Sequence, residues 1–334
     1  MLFTHYNFSV LSFVTLILAA VTNSVLITLI CSKSSKIIGG YRYIMISFGI
    51  FNVLYSLTAF FSHPKVILIE ASYMAYSGNF RGELKSVGYF SLSVFIAMYG
   101  LSTFLLAIHF VYRYVIICRP NHCYLFSSLK WKVAWVVFTL LWGLTYFSIN
   151  FFIFAPSERY RDFARATVLS RANYTIDELG FFCVFIYEII DGETIIYISY
   201  CVGLFIMVVM MFFTFVVMIC CGIQIIRALE RISLSSKTRN LQHQLLRALI
   251  VQATIPFIFS YLPRFLMFAF VIKGSSRNAF SAFVPYTIAL YTFLDPIAII
   301  AFIPSFRKKI FDLRRCREVV NAVSRTKPDF SLRY

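Results

Sequence analysis

The residues in this chain best able to do chemistry sit in apolar surroundings. In ALYTFLDPIAIIAFIPSFRKK, from Ala289 to Lys309, a carboxylate (Asp295) directly precedes a proline (Pro296). A charged Asp in the middle of a membrane costs about 2.5–3.5 kcal/mol on insertion scales. Pro296 leaves a carbonyl one turn earlier without its N–H partner and weakens a helix there. Together they make a polar break that faces inward. Such a break can exchange partners between two helix packings, or it can be a structural hydrogen bond that tolerates the proline. Arg113 closes an uncharged stretch from Ser86 to Tyr112; its plainest role is a basic anchor whose stem snorkels to the interface. Pro256 and Pro263 are seven residues apart, on nearly one helical face, and each can kink a helix. Arg264 follows directly.

Enzymatic arrangements do not emerge from the remaining polar residues. The histidines, His5, His63, His109, His122 and His243, are scattered along the chain without metal-ligand spacing. Neither a Ser/His/Asp set nor paired carboxylates recur across the apolar segments. The expectation is a protein that is not an enzyme, has no cofactor and no metal, and carries no nucleic-acid motif.

The elements that must position these residues follow from composition. The chain has 334 residues, 60% hydrophobic and 13% charged, with mean hydropathy +0.79; soluble proteins carry about 25% charged residues. Lipid is the solvent that such a surface requires. Seven apolar runs are long enough to span, at about 8–31, 43–61, 87–112, 133–154, 194–219, 248–272 and 279–303. Each must be helical to satisfy its own backbone in hydrocarbon. The fold class expected is an all-α membrane protein, a seven-transmembrane helix bundle over 1–303. A short interfacial amphipathic helix and cytoplasmic tail then occupy 304–334, with Phe306, Ile310 and Leu313 on one face and Cys316 a weak palmitoylation site.

Charge sets the sidedness. Of the 31 Lys and Arg, 21 fall in the odd-numbered loops and the tail, and nine in the even-numbered loops. Nine of the 14 acids fall in the even loops, so the net +17 is carried on one side. Basic loops stay cytoplasmic, which puts the N-terminus outside and the tail inside, against an anionic inner leaflet. No Lys or Arg precedes the first run, so it reads as a retained span rather than a cleaved leader. The second external loop, about 155–193, is long enough to act as a lid. Its Asn173-Tyr174-Thr175 is a glycosylation sequon on the outer side, whereas Asn7-Phe8-Ser9 lies too close to the membrane. Six of the eight cysteines lie at or near the cytoplasmic face; Cys183 lies in the second external loop and Cys201 within the fifth span, where a bridge between them competes with simple apolar packing.

Three stretches taken together, GYRYIMISFGIFNVLYS (Gly40–Ser56), HFVYRYVIICRP (His109–Pro120) and LDPIAIIAFIPSFRKKI (Leu294–Ile310), resemble the nematode serpentine chemoreceptors of the Str class, a family that includes a receptor for diacetyl. The resemblance covers nearly the whole chain. It implies a G-protein-coupled chemosensory (olfactory) receptor at the plasma membrane of a sensory-neuron cilium. Its partners would be a small-molecule odorant and a heterotrimeric G protein. By the same analogy the ligand would bind between the outer halves of spans 3, 5, 6 and 7, with Met98, Tyr99, Tyr200, Arg264, Met267, Phe268 and Tyr286 as pocket candidates. Arg113, Asp295, Pro296, Pro256 and Pro263 would form the switch that couples to the G protein. Departures from rhodopsin-like receptors are specific: Tyr112 stands where an acid usually precedes the arginine, Ile299 replaces a tyrosine after Asp295-Pro296, and no cysteine lies near Val87. At 1.5 Å per residue Arg264 sits roughly 12 Å and Asp295 roughly 24 Å below the outer ends of their spans, which disfavours a direct pair. A ligand-gated channel or a small-molecule transporter with seven helices are the alternatives; the charge count opposes the inverted topology of the insect odorant channels.

A tag placed before Phe8 is therefore expected to stain on intact cells, and one after Tyr334 only after permeabilisation. The reverse staining would end the receptor reading.

Overall fold

The computed structural model describes residues 2–32, 40–231, 236–274, 278–304 and 306–311. Seven helices form a bundle: α1 (Leu2–Cys31), α2 (Tyr41–Ser62), α3 (Lys85–Cys118), α4 (Leu129–Ser148), α5 (Ile198–Arg231), α6 (Ser236–Pro256, resuming over Leu262–Ile272) and α7 (Asn278–Phe302). Among the described residues, six of the spans are long and apolar enough to cross a bilayer. Within α7 the apolar stretch is Leu290–Phe302. Every expected span falls on one of these helices, except that 194–196 belong to a strand and α5 begins only at Ile198. At their inner ends α3 and α5 run on to Cys118 and Arg231, carrying basic residues beyond the apolar core.

The bundle is built around α3. Of its most apolar 18-residue window 72% is buried, against 17% for α5 and 28% for α4, so α3 is the central post and the other two face lipid. Close packing on α3 depends on a small residue: the Tyr146 ring of α4 lies where a Cβ on Gly100 would sit. The same tyrosine donates to the Met207 carbonyl of α5 at 3.1 Å, tying α4 to α5 across α3. A buried carbonyl partner lets the hydroxyl enter the apolar layer without an unmet bond.

Two helices depart from α geometry. α4 ends in a π turn over Ile149–Ile153, and α6 is interrupted by a π turn over Phe257–Tyr261. The second lies between Pro256 and Pro263. Each proline lacks the N–H that a regular helix would donate one turn back, and the π turn is the local accommodation. Both prolines are buried.

The outer face adds short strands to the helical bundle. Strands β1 (Pro64–Ile69) and β2 (Ser72–Arg81) form a hairpin in the first external loop. β3 (Leu179–Phe185), from the second external loop, adds to it antiparallel, with Met74 opposite Cys183 and Ser72 opposite Phe185. A second hairpin, β4 (Tyr187–Ile190) and β5 (Glu193–Ile196), leads into α5. Its turn residues Asp191 and Gly192 both have positive φ, 51° and 86°. Asp-Gly is the usual sequence for that turn, so this hairpin was marked in the chain. A loop helix, Glu158–Ala172, is capped by Ser157 Oγ, which accepts from Tyr160 N at 3.2 Å. Its outer side is held by Arg165, 2.6 Å from Asp177, whose carboxyl that contact keeps below the usual range.

The sheet does the tethering that a disulfide could have done. Cys183 and Cys201 are both free. Burial pushes the Cys183 thiol up to about 12, and it donates to Tyr200 Oη at 3.8 Å. Every residue of β3 is buried. Gly180 makes that possible, because a Cβ there would meet the Lys85 carbonyl at the start of α3. Gly180→Ala should force β3 off α3, with overpacking of this kind costing about 1–3 kcal/mol. A severalfold drop in surface expression on flow cytometry is the outcome expected, and wild-type levels would show that the sheet does not need this contact.

Candidate functional site

Polar groups inside the bundle gather at three depths. The outermost is a cavity beneath the sheet. Tyr73 and Phe182 roof it, Leu92, Phe95, Ile96 and Tyr99 of α3 form one wall, and Met207 and Met211 of α5, Arg264, Met267 and Phe268 of α6 and Val284 of α7 form the others. The α3 residues recur at the spacing of one helical face. About 60 Å³ is open to the centre of a water molecule, room for a handful of waters at about 10–15 Å³ each. The Arg264 guanidinium lies 3.7 Å from the centre of the Tyr99 ring, a cation–π contact.

Of the pocket candidates, Tyr99, Arg264, Met267 and Phe268 line this cavity, and Met98 and Tyr200 do not. Met98 is one position off the α3 face that carries Phe95 and Tyr99, and it packs at the core's edge. Tyr200 lies one turn above the α5 wall. Its ring stacks on Phe154 and its hydroxyl donates to the Ala155 carbonyl at 3.2 Å, bracing the second external loop. The Tyr286 side chain lies outside the described residues, as do Leu313, Cys316 and the rest of the tail.

The middle layer centres on Asp295, 1% exposed. Its Oδ2 accepts from Asn52 Nδ2 of α2 at 3.0 Å and from Gln252 Nε2 of α6 at 3.3 Å. These bonds join α2, α6 and α7 at one atom. Arg264 is not among its partners. Pro296 beside it would leave the Thr292 carbonyl without a helical donor, and Asn23 Nδ2 of α1 supplies one at 3.3 Å. Sequence reasoning missed Asn23, Asn52 and Gln252. The first two were visible as buried-type amides inside apolar runs, but nothing in the chain paired them with Asp295.

The inner layer holds Arg113, only 4% exposed, so it does not snorkel. Its Nη2 donates to Gln242 Oε1 at 2.8 Å and to the Gln242 carbonyl at 3.1 Å, both on α6. The guanidinium also faces the Tyr41 ring at 5.5 Å, and Tyr41 Oη bonds His109 Nδ1 at 3.1 Å. With Tyr112 in place of an acid, a neutral amide from α6 holds this arginine. Just below, Phe306 is buried with Ile299 and Ile303, and Ile310 packs beside them, which seats the start of the interfacial helix. On the outer side Asn173 is exposed, in a left-handed conformation (φ 58°) that ends the loop helix.

A bundle of seven spans with an outer cavity, a buried mid-membrane carboxylate and a held arginine at the inner face defines a G-protein-coupled-receptor fold. The crystal structure of squid rhodopsin superimposes with a TM-score of 0.59 over 92% of this chain and 84% of that one, at 14% identity. Residues 8–311 match the sequence profile of the serpentine type 7TM GPCR chemoreceptors of class Str, and the chain belongs to that family. It is 30% identical over 296 residues to serpentine receptor class r-10 of Caenorhabditis elegans, covering 87% of this chain and 86% of that protein. The Caenorhabditis briggsae protein of the same designation is 27% identical over 92% of each chain. G-protein coupled receptor str-33 of C. elegans is 24% identical over 88% of this chain and 87% of its own.

Asp295→Asn keeps size and hydrogen-bonding capacity while shedding charge, and should reach the surface at near wild-type levels. Asp295→Leu leaves Asn52 and Gln252 unmet inside the bundle, a cost of about 1–3 kcal/mol, and should lower surface expression severalfold. Equal surface staining of both variants would make the carboxylate incidental.

Proposed function

We propose that this chain is a chemosensory receptor that binds a small external molecule in the outer cavity and activates a heterotrimeric G protein. Family membership supports the class. The observation that carries the mechanism is that α6 supplies a contact at every depth: Arg264 in the cavity, Gln252 to Asp295, and Gln242 to Arg113. From Gln242 to Arg264 is roughly 30 Å along a helix, with the Pro256–Pro263 break between them. A ligand that binds better to one setting of that break shifts the population of the whole helix.

Gln242 is the inner end of this linkage. With Arg113 held by Gln242 the inner ends of α3 and α6 are closed on each other. Ligand binding that tilts the outer half of α6 about its π turn would draw Gln242 away and free Arg113 for the G protein. An Arg–amide hydrogen bond is worth about 1.5–3 kcal/mol, small enough for a ligand's differential affinity to overcome. Exposed Asn173 carries an N-glycan in this reading, and the tail with its basic residues lies on the anionic inner leaflet at a sensory cilium.

Two substitutions test the linkage in cells expressing the chain with a G protein. Gln242→Ala should raise basal nucleotide exchange severalfold, because it removes the bond that holds Arg113. Arg113→Ala should keep surface expression and lose coupling, and Arg113→Lys should not restore it, since an ammonium lacks the planar fork. If neither Gln242→Ala nor Arg113→Ala alters exchange at matched surface levels, the inner face does not work this way.

A further inference from the structure

Among the described residues, the cavity wall holds a single charged side chain, Arg264. No described carboxylate forms an ion pair with it; the five ion pairs among the described residues all lie within residues 158–188 of the second external loop. The carboxylate buried in the helical core, Asp295, is bound by Asn52 and Gln252 instead. An arginine inside a membrane span is costly and by default marks a function. This one is half-buried. Its guanidinium is folded over the Tyr99 ring.

The Tyr99 face compensates one side of the planar cation. The Tyr99 hydroxyl is also within hydrogen-bonding reach of one of its N–H groups; a guanidinium presents five donors, in a fork that matches a carboxylate, so a pair remains for an anion. The rest of the wall is Phe, Met, Leu, Ile, Val, Pro and Ala with tyrosine rings and one amide, Asn150. The free space of about 60 Å³ corresponds to roughly four to six water-sized atoms. A cation with open donors in a small apolar chamber fits an anion of that size with a short apolar tail.

We infer that the outer cavity takes a small monocarboxylate, of about four to six heavy atoms, with its carboxylate forked on Arg264 and its tail among Phe95, Met207 and Met267. The inference names the ligand class of the site proposed above and rests on that reading only for its signalling consequence. Binding itself is a separate measurement. Arg264 neighbours Pro263, so an anion drawn to it engages α6 directly at its break.

The test uses the full chain purified into nanodiscs of zwitterionic lipid, with propionate, butyrate and their methyl esters as probes and thermal unfolding and calorimetry as readouts. The acids should bind at least tenfold more tightly than the matched esters. Arg264→Gln should lose at least tenfold in acid affinity and leave ester binding unchanged, with Arg264→Lys between the two. Esters that bind as well as acids, no binding of either acid to the wild-type chain, or wild-type acid affinity in Arg264→Gln would each overturn the inference. Should Arg264→Gln fail to fold, the acid-to-ester ratio on the wild-type chain still decides. Nucleotide exchange driven by a neutral compound in a chain that binds no acid would reject this ligand class and leave the receptor reading intact. Acid binding without exchange would do the opposite.

Discussion

The arrangement of the helices depends on the burial of one carboxylate. Asp295 sits 1% exposed inside an apolar bundle and is tolerated because two amides from two other helices point at the same oxygen. Remove either and a buried acceptor loses half its compensation, so the positions of α2 and α6 relative to α7 are fixed by the same two bonds that make the acid affordable. Asn23 completes the arrangement from α1 by taking the carbonyl that Pro296 leaves open. Four helices therefore meet at the break in α7.

Above this layer the second external loop is held by main-chain hydrogen bonds. β3 is buried throughout and pairs with the buried residues 72–76 of β2, so the roof is anchored along its length and not at a single sulfur bridge. The absence of a cysteine near the outer end of α3 is matched by a physical substitute. A ladder of backbone bonds in an apolar setting leaves few polar groups unmet, and Gly180 lets it lie directly on α3. Phe182 and Tyr73 then close the cavity from above.

α6 is the element that touches all three layers, and its geometry is irregular where it matters. A π turn inserts one extra residue, which rotates everything beyond it by about 100° relative to a regular helix. Tyr261, at the end of that turn, meets Ser102 of α3 at 3.1 Å and packs against Tyr99. Tyr99 in turn lies under Arg264. The cavity is thereby in contact with the break itself, and the inner half of the same helix holds Asp295 and Arg113.

The sequence by itself determined the solvent, the number of spans and their orientation. These depend on hydropathy summed over about twenty residues and on where basic residues fall, both readable along one dimension. It also showed that Asp295 must face inward and cannot easily reach Arg264, because depth in a helix is counted in residues. Which side chains meet was decided by the tertiary structure. Asn52 and Asp295 are 243 residues apart, and Gln242 and Arg113 are 129 apart, with no local pattern linking either pair. Met98 fell outside the cavity and Tyr99 inside it, a matter of helix rotation, while Tyr200 lies a turn too high. In lipid a helix is apolar on its outer and inner faces alike, so the stripe that marks the buried face of a helix in water is nearly erased, and only packing sets which side turns inward.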